Sequence, residues 1–182
     1  MRVVETEIPG VLVFEPKVFE DARGFFFESF NLRVFREAVP GHGEFVQDNQ
    51  SGSRQNVVRG MHYQLKQPQG KLVRVAVGRV LDVALDLRRS SATFGKHVAV
   101  ELSAENRRVL WMPVGVAHGF AALDQWNEVL YKASDYYAPQ HERTILWNDA
   151  DFGIDWGVSQ ESAIVSEKDR AGVPFASAEV YE

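Results

Sequence analysis

The sequence predicts an all-β protein, a sandwich or a barrel made of many short strands, and three observations carry that reading. Apolar and polar residues alternate with period two through the middle of the chain. The alternating runs are short and recur at regular spacing, and turn-like segments such as "SAEN" and "PVG" separate them. At 182 residues with 45% hydrophobic content, the chain is long enough to bury a full core and short enough to form one domain over 1–182. No repeat, low-complexity tract or linker marks a second domain.

Taken in chain order, one helix stands before the strands. The stretch "NLRVFREAV" (31–39) places Leu32, Phe35 and Val39 on one side, with Asn31 as N-cap and "PG" as its stop, so it is expected to pack on the sheet. "VVRGMHYQ" (57–64) is strand-like yet carries a histidine. In "KLVRVAVGRVLDVALDLR" (71–88), Val73, Val75 and Val77 share one face; Leu81, Val83, Leu85 and Leu87 share another, with Asp82, Asp86 and Arg88 opposite. This segment reads as a hairpin turning at Gly78 and Arg79. The same rhythm predicts strands over 96–102, 107–113, 117–123 and 127–133. From Trp147 onward polarity is mixed and periodicity weak, which predicts loops with short helical pieces.

Composition excludes several function classes. With 25 acidic against 20 basic residues the net charge is -5, so nothing attracts the chain generally to nucleic acid or to an anionic membrane. Cysteine is absent, which removes disulfides, a thiolate nucleophile and Cys-ligated metal sites. The stretch "MRVVETEIPGVLVFEP" lacks the apolar core of a signal peptide, and no segment approaches the roughly 20 apolar residues that cross a bilayer, so the expected location is the cytoplasm. There is no phosphate-binding G-x-x-x-x-G-K-[ST], no G-x-G-x-x-G after a strand and no G-x-S-x-G elbow. A barrel metal site built on His-x-His is broken by Gln64 after His62. His118 is followed by small apolar residues, so no metal is expected.

Acid and base chemistry remains. A histidine held by a carboxylate at its far nitrogen is an oriented general base; His62 is the candidate and Asp169 a candidate orienting group. Tyr131 alternates with Val129 and Ala133 and so points inward, either as a structural phenol or as a proton donor. Arg23, Arg59, Lys71, Lys168 and Arg170 are candidates for an anion site. Strict alternation sets Arg59 on the opposite face from His62: either Gly60 marks a bulge that re-aims the strand, or the two serve different surfaces.

The motifs "DARGFFFESF" (21–30), "QDNQSGS" (47–53), "VVRGMHYQ", "PQGKLVRVAVG" (68–78), "DLRRSSATFG" (86–95), "LSAENRRVLWMPVGVAHGF" (102–120), "LYKASDYYAP" (130–139) and "SEKD" (166–169) occur in order over nearly the whole chain. In this they resemble the dTDP-4-dehydrorhamnose 3,5-epimerase family, a metal-independent branch of the cupin superfamily. Met61 stands where the family usually has leucine, a departure that touches no chemical group.

The resemblance implies a cupin jelly-roll barrel, a homodimer that exchanges N-terminal strands, and a dTDP-sugar substrate, with no cofactor. The implied reaction is epimerisation at C3 and C5 of dTDP-4-dehydro-6-deoxy-D-glucose in dTDP-L-rhamnose synthesis. It also implies His62 as base, Asp169 as its orienting group, Tyr131 as proton donor and Lys71 as the enolate-stabilising cation. Substrate contacts fall on Arg23, Glu28, Gln47, Asn49, Arg59, His118, Glu142 and Lys168, with Tyr137 or its neighbour Tyr136 stacking on the base. Arg23 and Phe26 are expected to reach the partner's cavity, which would account for the aromatic "GFFFESF" run.

Overall fold

In a computed structural model that describes residues 1–182, thirteen strands are gathered into two sheets and a hairpin. The six-stranded sheet runs β1 (Arg2–Glu5), β2 (Leu12–Glu15), β10 (Val109–Met112), β7 (Lys71–Val77), β12 (Trp126–Ala133) and β5 (Gln47–Arg54). The five-stranded sheet runs β13 (Glu142–Thr144), β6 (Val58–Gln64), β11 (Val116–Ala122), β8 (Arg79–Asp86) and β9 (His97–Ser103). β3 (Val18–Asp21) and β4 (Gly24–Phe27) stand apart as an antiparallel hairpin.

Alternation explains how three cores arise from two sheets. Val73, Val75, Val80, Ala84, Leu110, Met112, Phe120 and Val129 point between the sheets and form the barrel interior. The opposite residues of β2, β7 and β10, among them Phe14, Leu72 and Trp111, pack outside against Phe35 of the helix α1 (Leu32–Ala38). Asn31 caps that helix as expected, its Oδ1 accepting from the backbone N–H groups of Arg33 and Val34. Phe35 is buried, whereas Leu32, expected beside it, is exposed. Outside the five-stranded sheet, Val58, Met61, Val83 and Leu85 are covered by Trp147, Trp156 and Val165 of the C-terminal segment. That segment is made of loops, the short helix α2 (Glu167–Arg170) and one 3-10 turn, as its weak periodicity predicted.

The segment 71–88 is not a hairpin. β7 lies in one sheet and β8 in the other, and Gly78, at φ +75°, turns the chain between them. A Cβ there would sit 2.3 Å from the Trp126 carbonyl oxygen, so the corner admits only glycine. Period two says which residues share a face, not which strand is the neighbour. The leucine face of β8 is its outer face, and Asp82 and Asp86 are fully buried on the inner one. Asp86 is held by Arg88 at 2.8 Å and Thr93 at 2.7 Å; burial opposes its charge, but these bonds win and bring its pKa to about 2.

The Arg59 and His62 question is settled in favour of the bulge. In the β6–β11 pairing His62 lies opposite His118 and Arg59 opposite Phe120, with a register shift between them. Arg59 and His62 thereby share one cavity, while Val58 and Met61 share the outer core. Gly60 permits this: its φ is +120°, and a Cβ would lie 2.5 Å from Gly119 Cα and 2.8 Å from the His118 carbonyl oxygen. Gly60→Ala is therefore expected to cost about 2 kcal/mol or more of stability, read as a lowered urea midpoint at unchanged slope. A midpoint within error of the parent protein would show that the strand tolerates a side chain here.

Candidate active site

Residues from both sheets line a cavity of about 540 Å³ at one end of the barrel. β6 contributes Arg59 and His62, β11 His118 and Phe120, β7 Lys71, β12 Tyr131 and β5 Ser51; the loop before α2 and α2 itself add Ser166, Lys168 and Asp169. The inward direction read for Tyr131 from alternation holds, because its ring packs against the interior core and 6.5 Å from the His118 ring.

His62 Nε2 lies 2.6 Å from Asp169 Oδ1. Asp169 is buried, and its other oxygen accepts the Gly60 N–H at 3.3 Å. Ser166 caps α2 by accepting the Asp169 N–H at 3.1 Å, which fixes the carboxylate's own backbone. Burial opposes the Asp169 charge, but the bonds from His62 and Gly60 and the fields of His62 and Lys168 hold its pKa below the usual carboxylate value. The imidazole is thus oriented by an ionised partner.

A second pair repeats the arrangement: His118 Nε2 is 2.9 Å from Asp82 Oδ2, with both side chains buried. Lys71 has no ion-pair partner within 4.0 Å. Burial lowers its pKa to about 8, although Glu142 and Asp82 attract its proton; Lys168 pushes the same way as burial. Burial, with the field of Glu142, raises the Tyr131 phenol above its ordinary value, and Arg59 opposes them.

The rim is one hydrogen-bonded chain. Gln47 donates to Asn49 at 2.9 Å and accepts the Tyr137 N–H at 2.9 Å; Tyr137 donates to Glu142 at 2.6 Å, and Lys168 meets the same carboxylate oxygen at 2.5 Å. Arg59 is braced by Ser53 at 3.1 Å and by the Gly52 carbonyl at 3.0 Å. Arg23, Phe26 and Glu28 do not join this cluster. Arg23 and Phe26 sit on the exposed β3–β4 hairpin, Arg23 paired with Asp21 at 2.6 Å, and Glu28 follows it, bonded to Asn31. Arg170 is exposed and lines no part of the cavity. No group of three or more His, Asp or Glu side chains is placed to hold one metal ion.

A family model described as dTDP-4-dehydrorhamnose 3,5-epimerase matches residues 5–177. The chain belongs to the dTDP-4-dehydrorhamnose 3,5-epimerase family. It is 54% identical over 181 residues to the Pseudomonas aeruginosa enzyme of that name, covering 100% of this chain and 99% of the relative. The Shigella flexneri enzyme is 54% identical over 182 residues, with the same coverage. Among solved structures, the Legionella pneumophila dTDP-6-deoxy-D-glucose-3,5-epimerase in complex with dTDP-4-keto-L-rhamnose superposes with a TM-score of 0.94 at 43% identity, covering 98% of this chain and 94% of that one. The barrel is the cupin-type fold of this family, and the chain is an epimerase of dTDP-L-rhamnose biosynthesis.

Two features of the epimerase site escaped sequence reasoning. Alternation sets Asp82 only on the face away from the leucines of β8; the structure buries it there beside Val80 and Ala84, bonded to the cavity residue His118. Ser51 and Ser53 sit in β5, whose sequence "QDNQSGSR" has no apolar residue to mark a strand; Ser51 lines the cavity and Ser53 accepts from Arg59. The Lys71 ammonium of the epimerase is expected to lose its proton near pH 8, against ~10.4 for exposed lysines, read by pH-dependent methylation of labelled lysines. Glu142→Gln, which removes an attracting charge, should move that midpoint lower. Lys71 titrating together with the surface lysines would refute the assignment.

Proposed function

We propose that the chain converts dTDP-4-dehydro-6-deoxy-D-glucose to dTDP-4-dehydro-L-rhamnose, with His62 as general base, Asp169 as its orienting group, Tyr131 as proton donor and Lys71 as the cation beside the enolate oxygen. The C4 ketone acidifies the protons on C3 and C5, so removal of either leaves an enolate on the same oxygen. Return of a proton from the opposite face inverts the carbon. The balance is one proton out and one proton in at each carbon, with no net change of oxidation state, so the reaction asks for no redox cofactor. The observation that carries the reading is the placement of His62 on one sheet and Tyr131 on the other, both lining one cavity. A sugar ring lying between the sheets meets the base from one side and the phenol from the other.

Substrate contacts fall to Arg59, His118 and Lys168 in the cavity and to Gln47, Asn49 and Glu142 along its rim. For stacking on thymine, Tyr137 is favoured over Tyr136, because its hydroxyl and backbone N–H both join the rim. Arg23, Phe26 and Glu28 complete the site from a second copy of the chain in a homodimer that exchanges N-terminal strands. Supporting this, Phe19, Phe25 and Phe26 are 53%, 61% and 71% exposed on the hairpin, too apolar a surface to leave in water. No helix is long and apolar enough to cross a membrane. A charged nucleotide sugar does not pass a bilayer unaided, which supports the cytoplasm as the place of work.

In deuterated water the chain should label both C3 and C5 of the substrate, and His62→Ala should slow labelling at least ~10²-fold. Tyr131→Phe should still wash label in but stall the inversion. Labelling undiminished by His62→Ala, or inversion at the normal rate in Tyr131→Phe, would sink the corresponding role.

The exchanged arm has its own test. Arg23→Ala and His62→Ala, each inactive alone, should regain activity when their subunits are mixed and allowed to re-associate, because one site of the mixed dimer then holds both native residues. A mixture that stays inactive would mean that Arg23 does not serve a partner's cavity.

A further inference from the structure

Asp82 is a buried carboxylate that the chemistry above does not use. It stands on the inner face of β8 between Val80 and Ala84, both core residues, where another small apolar side chain would fill the barrel without desolvating a charge. Its Oδ2 takes the His118 Nε2–H at 2.9 Å, which leaves Nδ1 as the ring nitrogen with no protein partner, on a residue that lines the cavity. Its Oδ1 is shielded from solvent and makes no hydrogen bond. Lys71 is a cavity cation without an ion pair, and Asp82 strengthens its hold on its proton.

We propose that Asp82 is a positioning residue of the epimerisation: its carboxylate fixes the His118 ring with Nδ1 toward the substrate, and its charge favours the ammonium form of Lys71, which lines the same cavity as His118. The inference rests on the reading of Lys71 as the enolate-stabilising group. It extends that reading from the residues that touch substrate to the one that sets their charge and orientation. Because deprotonation at C3 and at C5 both place charge on the oxygen of C4, Asp82 acts on both half-reactions equally. A residue that merely shaped the pocket would change their ratio.

The charged and titratable groups around Lys71 are Asp82 on β8, Glu142 on β13 and Lys168 on α2, with Arg59, His62, His118, Tyr131 and Asp169 lining the same cavity. Asp82→Asn keeps an acceptor for His118 and removes the charge. The alkaline limb of the kcat profile, where Lys71 loses its proton, should then move to lower pH. At pH 8 the exchange rates at C3 and C5 should fall together, on the order of tenfold, less than the loss of a direct oxyanion donor, with KM little changed. Asp82→Ala with added formate is the second variant, and return of the limb toward its parent position supports the proposal. Lys71→Met separates the two levels: if it retains full kcat, the reading of Lys71 fails. If Lys71→Met is slow yet Asp82→Asn leaves the alkaline limb in place, the role of Asp82 alone is overturned.

Discussion

The 2.6 Å contact between His62 and Asp169 joins a barrel strand to a residue 107 positions later in the chain, and much of the architecture serves to make it. Asp169 reaches the cavity only because the C-terminal segment crosses the outer face of the five-stranded sheet, pinned there by Trp147, Trp156 and Val165 over Val58 and Met61. The segment then turns into α2, where Ser166 fixes the carboxylate's backbone. The outer core is thus the anchor for a piece of the site. The Gly60 N–H, at the bulge that turns Arg59 and His62 to the same side, bonds the same carboxylate, so the strand irregularity and the histidine's partner are held together. Loosening either would release both.

A second constraint is the polar lining of the barrel. A closed pair of sheets normally fills its interior with aliphatic side chains, as Val73, Val75, Leu110 and Val129 do here. Toward the site end the same inward positions carry Lys71, Asp82, His118 and Tyr131. Each desolvated carboxylate there is held by a donor close by: Asp82 by His118, Asp169 by His62 and the Gly60 N–H, Glu142 by Tyr137 and Lys168. The result is a cavity whose groups are held by one another before substrate enters, the condition under which electrostatic stabilisation costs no reorganisation during reaction.

What the sequence revealed and what it withheld divide along physical lines. Strand positions in the second half, the Asn31 cap and the inward face of Tyr131 follow from local periodicity and capping chemistry, and the structure has them. Partnership between strands does not follow from periodicity, so the corner at Gly78 looks like a hairpin turn although it joins different sheets. β8 shows why polarity misleads: Asp82 is paired with His118, far along the chain, and Asp86 with Arg88 and Thr93 just beyond the strand, and these partners make their burial tolerable. β5 was invisible because its inward positions carry polar side chains instead of apolar ones. The motifs of the family carried the candidate site residues that no spacing rule could have gathered from 23 to 169.

On the proposed roles, the two-sheet arrangement also accounts for one set of groups acting at two carbons. C3 and C5 flank the same carbonyl carbon, so a ring seated with its C4 oxygen near Lys71 brings both flanking carbons between the sheets. Lys71 belongs to β7 and Tyr131 to β12, neighbouring strands in register through Tyr131 with Val73 and Ala133 with Lys71, so the cation and the phenol share one wall. His62 faces them from the other sheet, opposite His118. On the proposed roles, the groups that stabilise and reprotonate the enolate therefore sit together, while the base stands across from them. A ring that shifts by the distance between C3 and C5 changes which carbon meets the base without changing which oxygen carries the charge, and so the barrel needs one oxyanion site for two inversions.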